Sequence, residues 1–266
     1  MKAGNPIPLQ KDQNLVERSK LPDKPGALLG QVWLTVQTLQ AQQLIRGRDG
    51  SPDKPAIIGL IGFADRLRLI WQAARNDDPY ADWWLIKVHD AIEMNVDYMR
   101  NWQREMNSLL QQMTAMDITI AESSRPYRIP LQFANPYAYQ AALLLSEYDA
   151  LVRMVMTVHH VGLLENEGRS GLIKSCARKI RALFVIPQSY RFLKIDRDSV
   201  CRQTGRSHEA HQIMGEVPND ILSGERQAPL VPRKVKFPSG FSRHVKLRPE
   251  SPVPDATLSD NKNNDG

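Results

Sequence analysis

The stretch Gln31-Val-Trp-Leu-Thr-Val-Gln37 carries aliphatic side chains at its second, fourth and sixth positions, with Trp33 and Thr35 between them. This period of two is typical of a β-strand with one buried face. Residues 38–47 are compatible with a short helix, and apolar side chains that recur every three or four positions predict a longer helix over residues 55–76. A strand followed by two helices is the order of a ribbon-helix-helix unit.

In a ribbon-helix-helix unit, two chains pair their strands and place the two-stranded ribbon in the major groove of DNA. The outward side chains would be Trp33 and Thr35, flanked by Gln31 and Gln37. Glutamine can pair with adenine, and threonine can contact either base edge. The alternative is an ordinary strand of a mixed sheet.

The rest of the chain is mainly helical by its hydrophobic periodicity. Long helices are predicted over residues 80–113 and 136–163, followed by helices at 170–185 and 205–214. Alternating side chains in residues 117–121 and 127–133 predict a β-hairpin. The fold class is therefore predicted as α+β, predominantly helical, with a short β-ribbon or small antiparallel sheet near the N-terminus. The apolar seam in the second half of the 80–113 helix suits either an intramolecular helix pair or a dimer contact.

Three regions are predicted along the chain. Residues 1–28 are polar and rich in proline, which favours a disordered arm. Residues 29–217 contain the periodic segments and are predicted to form the helical core. Residues 218–266 combine many prolines with basic side chains, and we predict a disordered basic tail because such a segment buries too little apolar surface to offset its ordering entropy.

Positive charge is concentrated in the C-terminal third. The 266 residues have a formal net charge of +6. Residues 1–168 hold 17 Lys and Arg against 19 Asp and Glu, whereas residues 169–266 hold 18 against 10. Basic regions of this kind meet anionic partners, and nucleic acid is the first of these.

Two groups of basic residues are candidates for phosphate contacts. Lys174, Arg178 and Arg181 share one face of the predicted 170–185 helix. The tail supplies a second group that includes Arg233, Lys234 and Lys236. DNA is the favoured partner, and an acidic protein partner is the alternative.

Catalytic and cofactor motifs are weak in this sequence. Cys201, His208 and His211 lack a convincing fourth zinc ligand, and the two histidines are spaced one residue short of the zincin motif. The acidic group Asp77, Asp78, Asp82 and Asp90 suits helix-end stabilisation, with a divalent-metal nuclease as the alternative. We predict a protein that is not an enzyme and has no cofactor or metal site.

The location of the protein is predicted from what the sequence lacks. Its N-terminus has no signal-peptide core, and no run of 18 apolar residues could span a membrane. The two cysteines, Cys176 and Cys201, imply no disulfide framework. These features favour a cytoplasmic protein without a membrane partner.

Six stretches resemble an uncharacterised family encoded in integrating conjugative elements of Proteobacteria, which is related to the AcaB-like transcriptional activators of conjugative plasmids. The resemblance covers about residues 30–233 and is carried by these stretches: Gln31-Val-Trp-Leu-Thr-Val-Gln-Thr38, Ile57-Ile-Gly-Leu-Ile-Gly-Phe-Ala-Asp-Arg-Leu-Arg68, Asp77-Asp-Pro-Tyr-Ala-Asp-Trp-Trp84, Phe133-Ala-Asn-Pro-Tyr137, Tyr190-Arg-Phe-Leu193 and Leu222-Ser-Gly-Glu-Arg226.

The resemblance implies a ribbon-helix-helix DNA-binding unit, a disordered C-terminal region and no catalytic residues. The expected function is that of an accessory or regulatory protein of an integrating conjugative element, which binds DNA as a homodimer to control transfer genes. The alternative is a non-catalytic interaction component of the element's transfer or maintenance machinery.

Overall fold

The structure, a computed structural model, describes residues 30–234 of the chain. Helices dominate this range, and two short strands form a small sheet. In chain order the elements are β1 (Val32–Val36), α1 (Leu39–Arg46), α2 (Leu60–Arg75), α3 (Pro79–Gln111), β2 (Tyr127–Leu131), α4 (Pro136–His160), α5 (Asn166–Val185), α6 (Arg197–Cys201), α7 (Gly205–Met214) and α8 (Asn219–Ser223). The predicted fold class is confirmed.

Helix α4 lies at the centre of the core. It contacts α1, α2, α3, α5 and β1, and it buries the apolar side chains Leu144, Leu145, Val152 and Val155. A helix with so many neighbours is expected to be apolar around most of its circumference, and α4 is. The seam of α3 packs against α4 within the same chain, and Met99 and Met106 of that seam are buried.

The two long helices begin where their sequences place capping residues. The Asp78 carboxylate accepts hydrogen bonds from the backbone N–H groups of Tyr80 and Ala81 at 2.9 and 3.2 Å, and Pro79 occupies the first helical position. Asn135 accepts from the N–H of Ala138 at 3.0 Å, and a proline follows it in the same way. These side chains satisfy N–H groups that a helix start leaves without partners.

The sheet consists of β1 and β2, which pair antiparallel with Val32 opposite Leu131 and Val36 opposite Tyr127. The predicted hairpin between residues 117–121 and 127–133 is therefore wrong, because the second segment pairs with β1 instead. Residues 117–121 form no strand; the N–H of Ala121 donates to the Thr157 hydroxyl on α4 at 3.0 Å.

A buried carboxylate fixes the junction between β1 and α1. Asp149 of α4 accepts hydrogen bonds from the backbone N–H groups of Gln37 and Thr38 at 2.9 and 2.8 Å and from the Thr38 hydroxyl at 2.7 Å. It thereby ties the start of α1 to the centre of the core.

The predicted start of α2 at residue 55 is also wrong, because the helix begins at Leu60. Residues 48–57 instead form a closed loop, in which Arg48 and Ile57 exchange two backbone hydrogen bonds of 2.8 Å. Gly47 and Gly59 contact each other at its base. A Cβ on Gly47, where φ is +72°, would lie 2.3 Å from the Ile57 carbonyl oxygen, so only glycine fits.

The core extends further along the chain than predicted. The predicted disordered tail begins at residue 218, but folded, buried residues follow that position. Ile221 of α8 and Ala228 are buried, and the N–H of Leu230 donates to the Tyr137 hydroxyl at 3.1 Å. The apolar residues between the prolines are too sparse to form a core of their own. They are buried because they pack on a surface that α3 and α4 provide. The predicted arm at 1–28 and the tail beyond residue 234 lie outside the described residues.

Candidate nucleic-acid interface

Helix α5 separates a buried apolar face from an exposed basic one. Leu172, Cys176 and Ile180 are buried, as are Leu183 and Phe184 near its end. The Phe184 ring packs on Phe63 of α2 with 5.0 Å between ring centroids. This packing fixes the rotation of α5 about its axis and therefore decides which side chains face the solvent.

Lys174, Arg178 and Arg181 form a stripe on the outer side of α5, which we call the α5 stripe. Their spacings of four and three residues keep them on one face. Lys174 and Arg178 are exposed and Arg181 is half-buried. Within residues 30–234, ion pairs involve the cations Arg153, Arg197, Arg226 and Lys234, and none involves the stripe. Its charges are thus available to an anionic partner.

The outer face of β1 is mostly accessible. Gln31, Trp33 and Thr35 are exposed, and the Arg128 guanidinium stacks over the Trp33 ring at 4.4 Å from its centroid. Gln37 differs, because its side-chain oxygen accepts a 2.7 Å hydrogen bond from the N–H of Ser123. The structure therefore places three of the four predicted ribbon residues at the surface and commits Gln37 to an internal contact.

The described part of the tail is held by carboxylates. Lys234 pairs with Asp77 and lies 3.4 Å from an oxygen of Asp82, and Arg226 pairs with Asp90 at 3.0 Å. Lys234 is thus engaged inside the protein rather than presented to a partner. Arg233 is exposed, and Lys236 lies outside the described residues.

Asp77, Asp82, Arg197 and Lys234 form a charge cluster at the start of α3. The Arg197 guanidinium donates to Asp82 at 2.7 Å and to Asp77 at 3.3 Å, and it also donates to the backbone oxygens of Ile221 and Leu222. Burial raises the pKa of Asp82 although Lys234 and Arg197 lower it. The cluster joins α3, α6 and α8, and it gives the acidic residues a structural role.

The place of Arg197 in this cluster could not be predicted, because its carboxylate partners Asp77 and Asp82 lie more than 100 positions away in the chain. The one local signal in the sequence is that Arg197 stands between two acidic residues, Asp196 and Asp198.

The described residues also bear on metal binding and on membrane insertion. Cys201, His208 and His211 line one cavity of about 380 Å³, yet among residues 30–234 no three metal-ligating side chains are placed to hold an ion. In that range, no helix is both long and apolar enough to cross a bilayer. Cys176 is buried and Cys201 is exposed, and both are free thiols.

Asp78 is expected to make folding stability depend on pH. Burial raises the pKa of Asp78 to about 6 from its usual 3.8, although the Tyr190 hydroxyl, 2.6 Å away, partly opposes this. Between about pH 4 and pH 6 the folded protein therefore retains a proton that the unfolded chain releases. The free energy of unfolding falls through that window as pH rises, by up to about 3 kcal/mol.

Asp78→Asn should remove this contribution, since the amide still caps α3 but does not titrate. The measurement is urea unfolding of both proteins at pH 4.5 and pH 7, and the variant should lose less stability at the higher pH. Asp196→Asn is the control, because the Ser199 hydrogen bond lowers the pKa of Asp196 below its usual 3.8. That carboxyl is therefore almost fully ionised in both the folded and the unfolded chain at pH 4.5 and pH 7, and its replacement should leave the pH dependence unchanged. Equal pH dependence in wild type and Asp78→Asn would contradict the assignment.

Comparison with known proteins identifies the family. The model of the family "Transcriptional regulator AcaB" matches residues 24–234. The crystal structure of selenomethionine-containing AcaB from uropathogenic E. coli has a similar fold, with a TM-score of 0.52 and 16% sequence identity over 74% of this chain and 98% of that one. No curated protein sequence matches. Because the family model spans most of the chain, this protein belongs to the AcaB family of transcriptional regulators.

Proposed function

We propose that this transcriptional regulator binds DNA and that the α5 stripe contacts the phosphate backbone. The observation that carries the proposal is the stripe itself: Lys174, Arg178 and Arg181 lie on one face, and no acidic residue of the described part pairs with them. Phosphate contacts supply most of the sequence-independent affinity of DNA-binding proteins. Arg233 and Lys236 would add contacts from the tail.

Base recognition is proposed for the outer face of β1. Gln31, Trp33 and Thr35 are exposed there, and β2 occupies one edge of the strand. A homodimer would pair the other edge of β1 with its copy to form the ribbon. A groove of about 520 Å³ beside β1, lined by the exposed side chains of Val32, Trp33 and Leu143, favours such a contact because apolar surface of this kind is often an interface.

The resemblance of six stretches to proteins of integrating conjugative elements supports the biological setting that we propose. The protein would control transfer genes of an integrating conjugative element and would act in the cytoplasm, where that DNA is transcribed.

The test is fluorescence anisotropy with promoter DNA of the element over a salt series. We expect the logarithm of the association constant to fall linearly with the logarithm of salt concentration. Absence of binding at low salt, or binding without salt dependence, would contradict DNA binding. Sedimentation equilibrium at the same protein concentrations checks the dimer, and a monomer bound to DNA would exclude the ribbon.

A second candidate function is that of a non-catalytic interaction component with an acidic protein partner. The α5 stripe favours it as well, because carboxylates of a protein partner can pair with the same cations, which have no ion-pair partner among the described residues. Affinity capture with and without nuclease separates the two functions. A partner set that survives nuclease treatment favours protein interaction, and one that disappears favours DNA.

A further inference from the structure

A small basic pocket lies where the end of α1, the closed loop 48–57 and α5 meet. Its volume is about 360 Å³, and it is lined by Gln43, Gly47, Arg48, Ile57 and Arg181. Two of these five residues are arginines, and they come from elements that are 133 positions apart in the chain.

The Arg48 side of the pocket is rigid. Two backbone hydrogen bonds between Arg48 and Ile57, each 2.8 Å, close the loop, and the Arg48 guanidinium donates to the Pro55 carbonyl at 2.9 Å. The backbone of Gly47 lies so close to Ile57 and Gly59 that no side chain would fit, so the loop packs tightly against the end of α1. A guanidinium held in this way loses little conformational entropy when it binds a ligand, which favours affinity.

The electrostatics of the pocket favour an anion. Within residues 30–234, neither Arg48 nor Arg181 forms an ion pair. The loop acids Asp49 and Asp53 oppose an anion, but they are exposed and do not line the pocket, so solvent screens their charge. The C-terminal end of α1 contributes about half a negative charge nearby. The two positive charges of Arg48 and Arg181 exceed this partial negative charge.

Guanidinium groups also match phosphate in geometry, because their planar fork of N–H donors can bind two phosphate oxygens at once. We propose that this pocket binds one phosphate of the DNA backbone between Arg48 and Arg181, an inference that rests on the proposed DNA-binding function. Arg181 is the last residue of the α5 stripe. The stripe extends about 10 Å from Lys174 to Arg181 at 1.5 Å per residue, so the pocket lies at the end of a path that spans about three base-pair steps.

The test compares the salt dependence of DNA binding in Arg48→Ala, Arg181→Ala and the double variant. Each lost phosphate contact reduces the slope of log K against log salt by about 0.9, which is roughly 8-fold in affinity at 0.1 M salt. We expect this reduction in each single variant. The double variant should show the same reduction, because both arginines hold one phosphate.

Arg66→Ala is the matched control, since it removes an exposed arginine of α2. Single variants that behave like this control would overturn the pocket assignment and leave DNA binding intact. A double variant that loses about twice the slope would show two separate phosphates and would also overturn it. Should Arg48→Ala fail to fold, Arg181→Ala decides, because the Arg181 side chain makes no hydrogen bond within residues 30–234.

A second readout separates this inference from the proposed function. Inorganic phosphate, compared with chloride at equal ionic strength, should raise the melting temperature of the wild type and not of either arginine variant. If the wild type binds no DNA, the proposed function fails and the DNA source of the phosphate fails with it. Phosphate stabilisation that needs both arginines would then show a site for a free phosphate ligand, and its absence would overturn the pocket altogether.

Discussion

Arg197→Ala is expected to lower the free energy of unfolding by about 3 kcal/mol or more, because it leaves a buried carboxylate without its best partner. The Asp82 side chain is 2% exposed and accepts from Arg197 at 2.7 Å. Its other oxygen already has no partner among the described residues. Lys234, at 3.4 Å, compensates only partly.

The loss should extend beyond the ion pair. Arg197 also donates to the backbone oxygens of Ile221 and Leu222, which hold α8 against α3. The Arg197→Ala substitution should therefore loosen α8 and the segment that follows it. Limited proteolysis would detect this as earlier cleavage near residue 221 than in the wild type.

Arg226→Ala is the control for this prediction. Its ion pair with Asp90 is about half exposed at both ends, so its loss should change stability by less than about 1 kcal/mol. Urea unfolding followed by circular dichroism measures both variants. Similar losses in the two would show that the buried cluster has no special energetic role. A combined Asp82→Leu, Arg197→Met variant should be more stable than Arg197→Ala, because it leaves no unpaired buried charge.

The helices of this protein could be predicted because their signals are local. The apolar periods of α3 and α4 predicted boundaries within a few residues of those observed, and the caps Asp78 and Asn135 stand where these helices begin. The predicted start of α2 failed because Pro55 is a suitable first residue for a helix. The closed loop forms there instead of a helix, because Arg48 and Ile57, nine positions apart, form two backbone hydrogen bonds with each other.

Features that depend on distant partners could not be predicted in this way. Either of the segments 31–37 and 117–121 could have paired with β2, and the packing of β1 on α4 decides between them. The basic residues of the α5 stripe were visible as a helical pattern, yet the pocket was not, because Arg48 belongs to a loop. Composition predicted a basic tail, whereas the pairing of Lys234 with Asp77 and Asp82 depends on where the start of α3 lies in the folded protein.

Replacing Lys174, Arg178 and Arg181 together with alanine is expected to reduce DNA affinity by roughly 10²- to 10³-fold at 0.1 M salt. The triple change removes three phosphate contacts, so the salt slope should fall by about 2.7. Curves that converge near 1 M salt then differ by about 500-fold at one-tenth of that concentration. Stability should change little, because two of the side chains are exposed and none is ion-paired in the described part of the chain.

The control removes the same charge elsewhere. Arg66, Arg68 and Arg100 are exposed residues of α2 and α3, and their replacement by alanine lowers the net charge by three as well. If the affinity for DNA depends only on the total charge of the protein, the two triple variants will bind equally well, and the α5 stripe will have no special role. If the stripe forms the phosphate contacts, only the stripe variant will show a smaller slope of log K against log salt. Sequence preference should persist in whatever binding remains, because phosphate contacts position the protein while base contacts at β1 would select the site.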